Sequence, residues 1–177
     1  NGPRIWLNTK TWRYQSIDPW EKIPSKFSWY AFQSSLDRTL YTIQNNSTLE
    51  RYDPLQKIFI SIPLNRDMWE MLRAPTQIAE DWNGDLWMVH QGLCRYRKST
   101  AQIDYCELKF PGAFLNLNTV GNIVNDTIHK KLWFSLYQNG LFRYDPETHD
   151  YKQFTLKEGL PDLVIGQMII VGRHIWI

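Results

Sequence analysis

The sequence repeats one short phrase, in which an apolar residue precedes an aromatic residue and an Arg-Tyr pair follows several residues later. This repetition constrains the fold strongly, because each copy must form the same local structure. Successive aromatic residues of the phrase are 35, 46, 46 and 43 residues apart. Because the same residue types recur at one strand position, we expect them to hold the scaffold. These residues are Trp6, Tyr41, Trp87, Trp133 and Trp176, with Arg51, Arg95 and Arg143 of the Arg-Tyr pairs.

The best-formed copy shows which secondary structure the phrase predicts. Ile123 opens a first strand, and the apolar run Leu132–Leu136 has the length of a second. An Asn-Gly turn leads into a third strand, Leu141–Tyr144. Asp145-Pro146-Glu147-Thr148 then predicts a type I turn, after which Tyr151–Phe154 forms a fourth strand. A period in the forties, with short apolar runs and no long stretch at helical spacing, is typical of the four-stranded blades of a β-propeller.

The predicted fold class is therefore all-β, a β-propeller fragment of four-stranded antiparallel blades with about four repeats. Residues 1–177 are assigned to part of one propeller. We expect a partial blade over 1–30, blades over about 31–73, 74–118 and 119–163, and a partial blade over 164–177. Because three complete blades are too few for a ring of about seven, the chain is expected to be a fragment. A four-bladed ring closed by the two partial blades is the alternative, although it leaves one second strand over.

The repeats resemble the two-component-regulator propeller repeat, whose pattern joins an Ile, an Asp, a Gly-x-Leu-Trp run, a Gly-Leu turn and Arg-Tyr-Asp-Pro-x-Thr. One copy matches the pattern at Ile78, Asp81, Gly84, Leu86, Trp87, Gly92, Leu93, Arg95 and Tyr96. The next copy matches it at Val120, Ile123, Asp126, Leu132, Trp133, Gly140, Leu141, Arg143, Tyr144, Asp145, Pro146, Thr148, Phe154, Gly159 and Leu160. The likeness covers nearly the whole chain.

This resemblance implies a location and a role. Repeats of this family form the extracytoplasmic sensor portions of membrane-bound histidine kinases and hybrid two-component systems, including Bacteroidetes systems that detect oligosaccharides. It implies a periplasmic or extracellular part of a membrane protein, with an oligosaccharide as ligand. It also implies further propeller blades, a signalling domain such as a histidine kinase in the parent chain, and a homodimer.

Charged residues depart from the family pattern at two places. Arg97-Lys98 stands where Asp-Pro is usual, and Lys130-Lys131 stands where Gly is usual. We expect both pairs, together with Arg95, to be solvated ends of turns and strands. The whole chain has 20 Lys and Arg against 18 Asp and Glu, so its charge favours neither nucleic acid nor an anionic membrane as partner.

The residues that could perform catalysis are scattered. The four histidines show no spacing that places two on one strand face, and no paired Cys-x-x-Cys metal motif is present. Asp53, Asp81, Asp126 and Asp145 occupy repeated turn positions, where a carboxylate that accepts backbone N–H bonds is sufficient explanation. We therefore expect no catalytic residue, no metal site and no cofactor, and this segment is predicted not to be an enzyme.

Ligands of propellers usually bind where the turns between second and third strands gather with the connections between blades. At that edge the sequence places amides and rings, which suit the hydroxyls and the apolar faces of sugars. Aromatic residues of the long connections, Trp29, Tyr30 and Trp69, accompany them. An equally simple interpretation is that amides merely make good turns. The predicted ligand-binding residues are Asn45, Asn46, His90, Gln91, Tyr137, Gln138 and Asn139.

The two cysteines, Cys94 and Cys106, fall on the predicted third and fourth strands of one blade. Their offset across the hairpin brings them near each other, and an oxidising compartment permits a disulfide. The favoured interpretation is two small buried apolar residues, because the aligned positions of the next blade are Phe142 and Phe154.

Together these observations predict a noncatalytic ligand-sensing or scaffold segment of a periplasmic propeller sensor domain of a two-component system. One alternative is a secreted propeller binding module without a kinase. Another is a propeller-type polysaccharide lyase or hydrolase, which requires a His, Arg and carboxylate or metal cluster at the central channel.

Overall fold

The computed structural model of the protein begins and ends with a two-stranded hairpin. The N-terminal hairpin pairs β1 (Ile5–Asn8) with β2 (Arg13–Ser16), and the C-terminal hairpin pairs β15 (Ile169–Val171) with β16 (His174–Trp176). No helix in the part of the chain that the structure describes is long and apolar enough to cross a membrane. The structure describes residues 5–11, 13–16, 28–44, 48–62, 77–89, 93–106 and 122–177.

Three four-stranded sheets lie between the hairpins. Blade 1 contains β3 (Ser28–Gln33), β4 (Leu40–Gln44), β5 (Leu49–Asp53) and β6 (Ile58–Ser61). Blade 2 contains β7 (Ile78–Glu80), β8 (Leu86–Val89), β9 (Leu93–Arg97) and β10 (Gln102–Cys106). Blade 3 contains β11 (Ile123–Asp126), β12 (Lys131–Leu136), β13 (Gly140–Tyr144) and β14 (Tyr151–Phe154). Neighbouring strands pair antiparallel in chain order, which confirms the predicted all-β propeller fragment of four-stranded blades.

The strands also show where the blades begin. β3 starts at Ser28, so blade 1 begins before residue 31, where the repeats place its boundary. The described part of residues 1–30 contributes two strands, β1 and β2, to the first sheet. The C-terminal hairpin has the pairing of a first and a second strand, since Ile169 lies opposite Trp176 as Val124 lies opposite Trp133. The expected boundaries near residues 73 and 118 lie outside the described residues and stay a prediction.

Each blade has two chemically different faces. In blade 2, Trp87 lies opposite Arg95 and Leu86 lies opposite Tyr96. Because successive residues of a strand point to opposite sides, Trp and Arg share one face and Tyr lies on the other. We call these the Trp face and the Tyr face. Blade 3 has the same register, with Trp133 opposite Arg143.

The hydrophobic core forms where the Trp face of one blade packs on the Tyr face of the next. Between blades 1 and 2 the buried residues are Tyr41, Ile43, Leu49, Ile62, Ile78, Leu86, Met88, Cys94 and Tyr96. Between blades 2 and 3 they are Ala79, Trp87, Leu93, Ile123, Leu132, Phe134, Leu136, Phe142 and Tyr144. The fully buried Trp87 meets Tyr144 edge to face, with ring centroids 5.7 Å apart. Such stacking buries aromatic area that a single blade leaves exposed.

The repeated aromatic residues differ in how deeply they are buried. Tyr41 and Trp87 belong to the core, whereas Trp133 is partly buried and Trp176 is 65% exposed. The side chain of Trp6 lies outside the described residues. The repeated aromatic residue is therefore part of the hydrophobic core in blades 1 and 2.

Of the two cysteines, Cys94 is buried in the core between blades 1 and 2, as expected of a small apolar residue. In the strand register Cys94 lies opposite Tyr105, and Cys106 lies opposite Leu93. The side chain of Cys106 lies outside the described residues, and the disulfide stays an untested alternative.

The turn aspartates have the structural role that the repeats predict. Asp53, Asp81, Asp126 and Asp145 each accept at least one backbone N–H bond through their carboxylates, at 2.8–3.1 Å. These bonds close the turns after β5, β7, β11 and β13. Sequence-local hydrogen bonding of this kind explains why the residue type recurs.

Gly140, the first residue of β13, provides a separate test of local packing. It has φ +77°, and a Cβ atom built on it would clash with the carbonyl oxygen of Phe154. Replacing Gly140 with alanine is expected to lower the free energy of unfolding by about 2 kcal/mol or more, since backbone must move and a left-handed φ is costly for alanine. Gly159→Ala is the matched control, because Gly159 has φ +97° but open space around it. Equal losses for both variants, measured by urea unfolding, would contradict the packing at Gly140.

Candidate functional site

On the Trp face of blade 2, the charge of Arg95 is neutralised by carboxylates of the same blade. Arg95 donates to Oδ2 of Asp85, with Nη2 at 2.7 Å and Nε at 2.9 Å, and its guanidinium lies 5.3 Å from the ring centre of Trp87. The indole Nε1 of Trp87 donates to Oδ2 of Asp81 at 2.7 Å. The expectation that Arg95 is a solvated strand end is therefore wrong, because the residue anchors two carboxylates of its own blade to the interblade core.

A second charged group joins blades 1 and 2. Nζ of Lys98 lies 2.8 Å from Oε1 of Glu80 and 2.9 Å from Oδ2 of Asp37, and it donates to Ser34 Oγ at 3.1 Å. The other oxygen of the Glu80 carboxylate accepts from N and Oγ of Ser35 at 2.7 and 2.8 Å. We call these five residues the interblade ion cluster. Since the side chains of Lys98 and Glu80 are only 18% and 4% exposed, the expectation of a solvated Lys98 is wrong.

The charges of the cluster stabilise one another. Burial alone would raise the pKa of Glu80, but hydrogen bonds from Lys98, Ser34 and Ser35 outweigh it and hold the pKa below its usual value. Burial likewise opposes the charge of Lys98, yet its bonds to Glu80 and Asp37 raise its pKa. The cluster is therefore a fully ionised ion pair network at neutral pH.

In the predicted binding turn between β12 and β13, the ring of Tyr137 is exposed, whereas the side-chain amide of Asn139 is hydrogen-bonded within the turn. Tyr137 is 50% exposed, and Gln138 is exposed at φ 57°. Asn139 Nδ2 donates to the Tyr137 carbonyl at 2.8 Å, and the Asn139 carbonyl accepts from Gln153 Nε2 at 2.8 Å. The amide of Asn139 thus shapes the turn, whereas Tyr137 and Gln138 are presented to solvent.

The connection after β14 lies beside this turn. Gly140 N donates to the Leu163 carbonyl at 3.0 Å, which ties the start of β13 to the connection. A 3-10 turn, Leu156–Glu158, is capped by Thr155, whose hydroxyl accepts from Lys157 N at 3.2 Å. Turn and connection therefore form one edge of blade 3, the edge at which the repeats predict a ligand.

The remaining predicted binding residues are not part of the described structure. Asn45, Asn46, His90 and Gln91 lie outside the described residues, as does Trp69. Trp29 and Tyr30 belong to β3, but their side chains are not described. The structure thus brings together Tyr137, Gln138 and Asn139 alone, and the larger predicted site stays a prediction.

A groove of about 460 Å³ lies on the Trp face of blade 3, against the C-terminal hairpin. It opens at the edge opposite the β12–β13 turn, because antiparallel order places the β11–β12, β13–β14 and β15–β16 turns together. The guanidinium of Arg143 lies 6.0 Å from the ring centre of Trp133. Blade 3 lines the groove with Lys131, Trp133 and Arg143, and the hairpin lines it with Ile170, Arg173 and Ile175.

Asp126 is the carboxylate of this groove. Its Oδ2 lies 2.8 Å from Nδ1 of His129 and 3.4 Å from Nε1 of Trp133, and its Oδ1 accepts from His129 N at 3.0 Å. Burial would raise the pKa of Asp126, but the bonds from His129 and Trp133 outweigh it and lower the pKa. The carboxylate is therefore ionised and already bound within its own blade.

Reasoning from the sequence did not identify this groove. The repeat pattern assigns Trp133 and Arg143 to the scaffold and Lys131 to a solvated turn. A signal was present in the alignment of the copies, because Lys131 stands where the preceding copy has Asp85. The partners from the hairpin, such as Arg173, depend on tertiary packing and carry no such signal.

No family model matches the chain, and no curated protein sequence matches it either. Solved structures from Bacteroides thetaiotaomicron do match. One of them is the extracellular domain of BT4673, described as part of a one-component system. It is 20% identical to this chain and superposes with a TM-score of 0.74. The match covers 97% of this chain and 23% of that chain. A structure of the extracellular domain of BT4673 assigned to a hybrid two-component system is 22% identical, with a TM-score of 0.63 over 84% of this chain and 19% of that chain. The extracellular domain of BT3049, also assigned to a hybrid two-component system, is 14% identical, with a TM-score of 0.56 over 78% of this chain and 20% of that chain.

These likenesses concern architecture, since all three identities are at most 22%. The chain spans 19–23% of the length of the three matched structures. Its stack of four-stranded blades is accordingly a propeller fragment with the fold of a part of these extracellular domains.

Proposed function

We propose that this chain is a noncatalytic segment of a periplasmic or extracellular propeller sensor domain, built from two-component-regulator propeller repeats. The observation that carries the proposal is the match of 97% of the chain to part of an extracellular domain, at a TM-score of 0.74. The repeat residues support the same family, because Asp81, Trp87 and Arg95 form one bonded unit on the Trp face of blade 2.

The proposed parent chain contains further blades and a signalling domain such as a histidine kinase, and it acts as a homodimer. A ligand or a docked domain that prefers one relative orientation of the propellers shifts the equilibrium between two orientations. The coupling free energy between the ligand site and the kinase transmits the signal, and the segment needs no chemical step.

The proposed ligand is an oligosaccharide that binds at the β12–β13 edge of the blades. The exposed ring of Tyr137 offers a stacking surface for the apolar face of a sugar, and the neighbouring exposed amide of Gln138 offers hydrogen bonds to hydroxyls. In the sequence, His90 and Gln91 fall between β8 and β9, the position that corresponds to the Tyr137 turn in the repeat.

This proposal is tested by calorimetric titration of the chain with a panel of neutral oligosaccharides. Tyr137→Ala is expected to weaken binding of the bound oligosaccharide about tenfold, because it removes the stacking ring. Thr148→Ala, an exposed change in the turn at the opposite edge of blade 3, serves as control and is expected to leave the affinity unchanged. Turnover of an oligosaccharide that is abolished by Tyr137→Ala or by a change at His90 would instead support a propeller lyase or hydrolase and overturn the noncatalytic assignment.

A further inference from the structure

Six turns of the three blades lie at one edge, opposite the Tyr137 turn. They join first to second strands and third to fourth strands, which antiparallel order places together within a blade. Contacts between blades align these edges, because Lys98 bonds to Asp37 and Asn125 Nδ2 donates to the Glu80 carbonyl at 2.6 Å. We call this the cluster edge, since it also holds the interblade ion cluster. All six turns belong to four-stranded blades and not to the terminal hairpins.

Each of these turns contains one residue in the left-handed region of φ. Glycine adopts this conformation without strain, as Gly84 does in blade 2, whereas lysine and arginine adopt it at a cost. Three of the six turns nevertheless have a cation at this position. Local folding therefore does not explain why these positions are basic. The six residues, with φ between 51° and 87°, are Arg38, Lys57, Gly84, Ala101, Lys130 and His149.

The three turns with a cation also expose a large aliphatic side chain, two residues before the cation. These aliphatic side chains are 62%, 93% and 59% exposed in chain order. Single exposed apolar residues are ordinary on a protein surface, but one pairing that is repeated in three turns of one edge forms a defined surface. We call them the turn pairs, and they are Leu36 with Arg38, Leu55 with Lys57, and Ile128 with Lys130.

The cations of the turn pairs are available to a partner. Among the described residues, none of the three has a carboxylate within ion-pair distance. The exposed acids Glu147 and Asp150 stand in the other turn of blade 3, which contains no turn pair. The turn pairs therefore present positive charge beside apolar tips, although the whole chain is nearly neutral. Three acids of the same edge are already bonded, and these pairs are Asp37 with Lys98, Asp126 with His129, and Asp145 with Lys131.

We propose that the turn pairs dock the cluster edge on an anionic lipid surface. Each aliphatic tip enters the boundary between headgroups and acyl chains, while the cation two residues away lies beside the lipid phosphates. Three tips on separate turns match a continuous surface, whereas a protein helix requires one groove that holds all its anchors. The proposed function supplies a membrane within reach, and the inference rests on that function in this respect alone.

The test is co-sedimentation of the chain with vesicles of phosphatidylcholine alone and of an equimolar mixture of phosphatidylcholine and phosphatidylglycerol. Binding to the anionic vesicles is expected to be at least tenfold tighter and to weaken with rising salt. Leu55→Ser is expected to weaken it about tenfold, because it removes the most exposed tip. Lys57→Asn is expected to weaken it about fivefold, since it removes a cation and asparagine tolerates the left-handed φ of this position.

Matched controls come from the opposite edge of blade 3. Leu156→Ser removes a leucine that is 57% exposed, and Lys157→Gln removes the exposed lysine beside it. Both variants are expected to leave vesicle binding unchanged. Adhesion through any other apolar face is common to all variants and does not produce the expected difference. Cooperative urea unfolding of the four variants checks that each retains the fold.

Two vesicle results would overturn the inference. The first is equal affinity for anionic and neutral vesicles, and the second is unchanged anionic binding in either Leu55→Ser or Lys57→Asn. Salt-sensitive binding to polyglutamate, without binding to anionic vesicles, would also overturn it and would assign the cations to an acidic polypeptide.

The vesicle experiment separates this inference from the proposed function. A chain that binds a neutral oligosaccharide through Tyr137 but no anionic vesicles overturns the inference and leaves the proposed function standing. A chain that binds anionic vesicles through the turn pairs but no oligosaccharide supports the inference and counts against the proposed ligand alone.

Discussion

Replacing Trp87 with alanine is expected to lower the free energy of unfolding by about 3–5 kcal/mol, the largest loss of any single change proposed for this chain. The side chain is 0% exposed and lies in the core between blades 2 and 3. Its removal leaves a cavity beside Tyr144 and deprives the buried Asp81 carboxylate of the indole donor. Denaturant unfolding followed by circular dichroism measures the loss.

The matched control is Trp176→Ala, at the same repeated position of the C-terminal hairpin. Because Trp176 is 65% exposed, its removal is expected to change the free energy of unfolding by no more than about 0.5 kcal/mol. Should Trp87→Ala not fold, Trp87→Phe keeps a ring in the core and isolates the lost bond to Asp81. Similar losses at both tryptophans would contradict the stacking of Trp face on Tyr face.

Replacing Lys98 with methionine is expected to lower the free energy of unfolding by about 3 kcal/mol. The change leaves the Glu80 carboxylate buried, with serine donors but no cation, and breaking a buried ion pair typically costs about 3–5 kcal/mol. The partial exposure of Lys98 places the expected value at the lower end. Lys130→Met is the control, since Lys130 is exposed in the β11–β12 turn, and it is expected to change little. Equal effects of the two substitutions would show that the ion cluster does not join the blades.

The same cluster predicts how stability changes with pH. The pKa of Glu80 is lower in the folded protein than its usual 4.5, so its contribution is present above that pH and is lost as the pH falls below it. The pKa of Lys98 is raised above its usual 10.5, so its contribution is complete below that pH and is lost as the pH rises further. In Lys98→Met the folded-state pKa of Glu80 is expected to rise, so the variant should lose less free energy of unfolding as the pH falls. Urea unfolding over about pH 3–7 checks this, and an unchanged acid loss in the variant would contradict it.

Much of the fold follows from local sequence signals. The Leu-Trp and Arg-Tyr pairs set a strand register in which Trp87 lies opposite Arg95 and Trp133 opposite Arg143. Asp145 closes its turn with its own carboxylate, which requires no distant partner. Such contacts lie within one repeat, so the period and the turn residues predict them.

The interblade contacts could not be predicted in the same way. Lys98 bonds to Asp37, which is 61 residues earlier in the chain, and a departure from the family pattern does not reveal that partner. At the candidate site, the turn position predicts Tyr137 as a binding residue; the structure shows its ring exposed, and its role in binding stays a prediction. Arg143 belongs to the repeat, yet the groove beside it is formed with residues of the C-terminal hairpin, which the repeat does not reveal.

The most direct measurement is the sequence of the parent reading frame on both sides of this segment. The account predicts further blades of the same repeat, followed by a membrane-spanning helix and a signalling domain such as a histidine kinase. A start codon just upstream and a stop codon just downstream would contradict it, and they would leave a small secreted binding module or a closed four-bladed ring as the explanation of these blades.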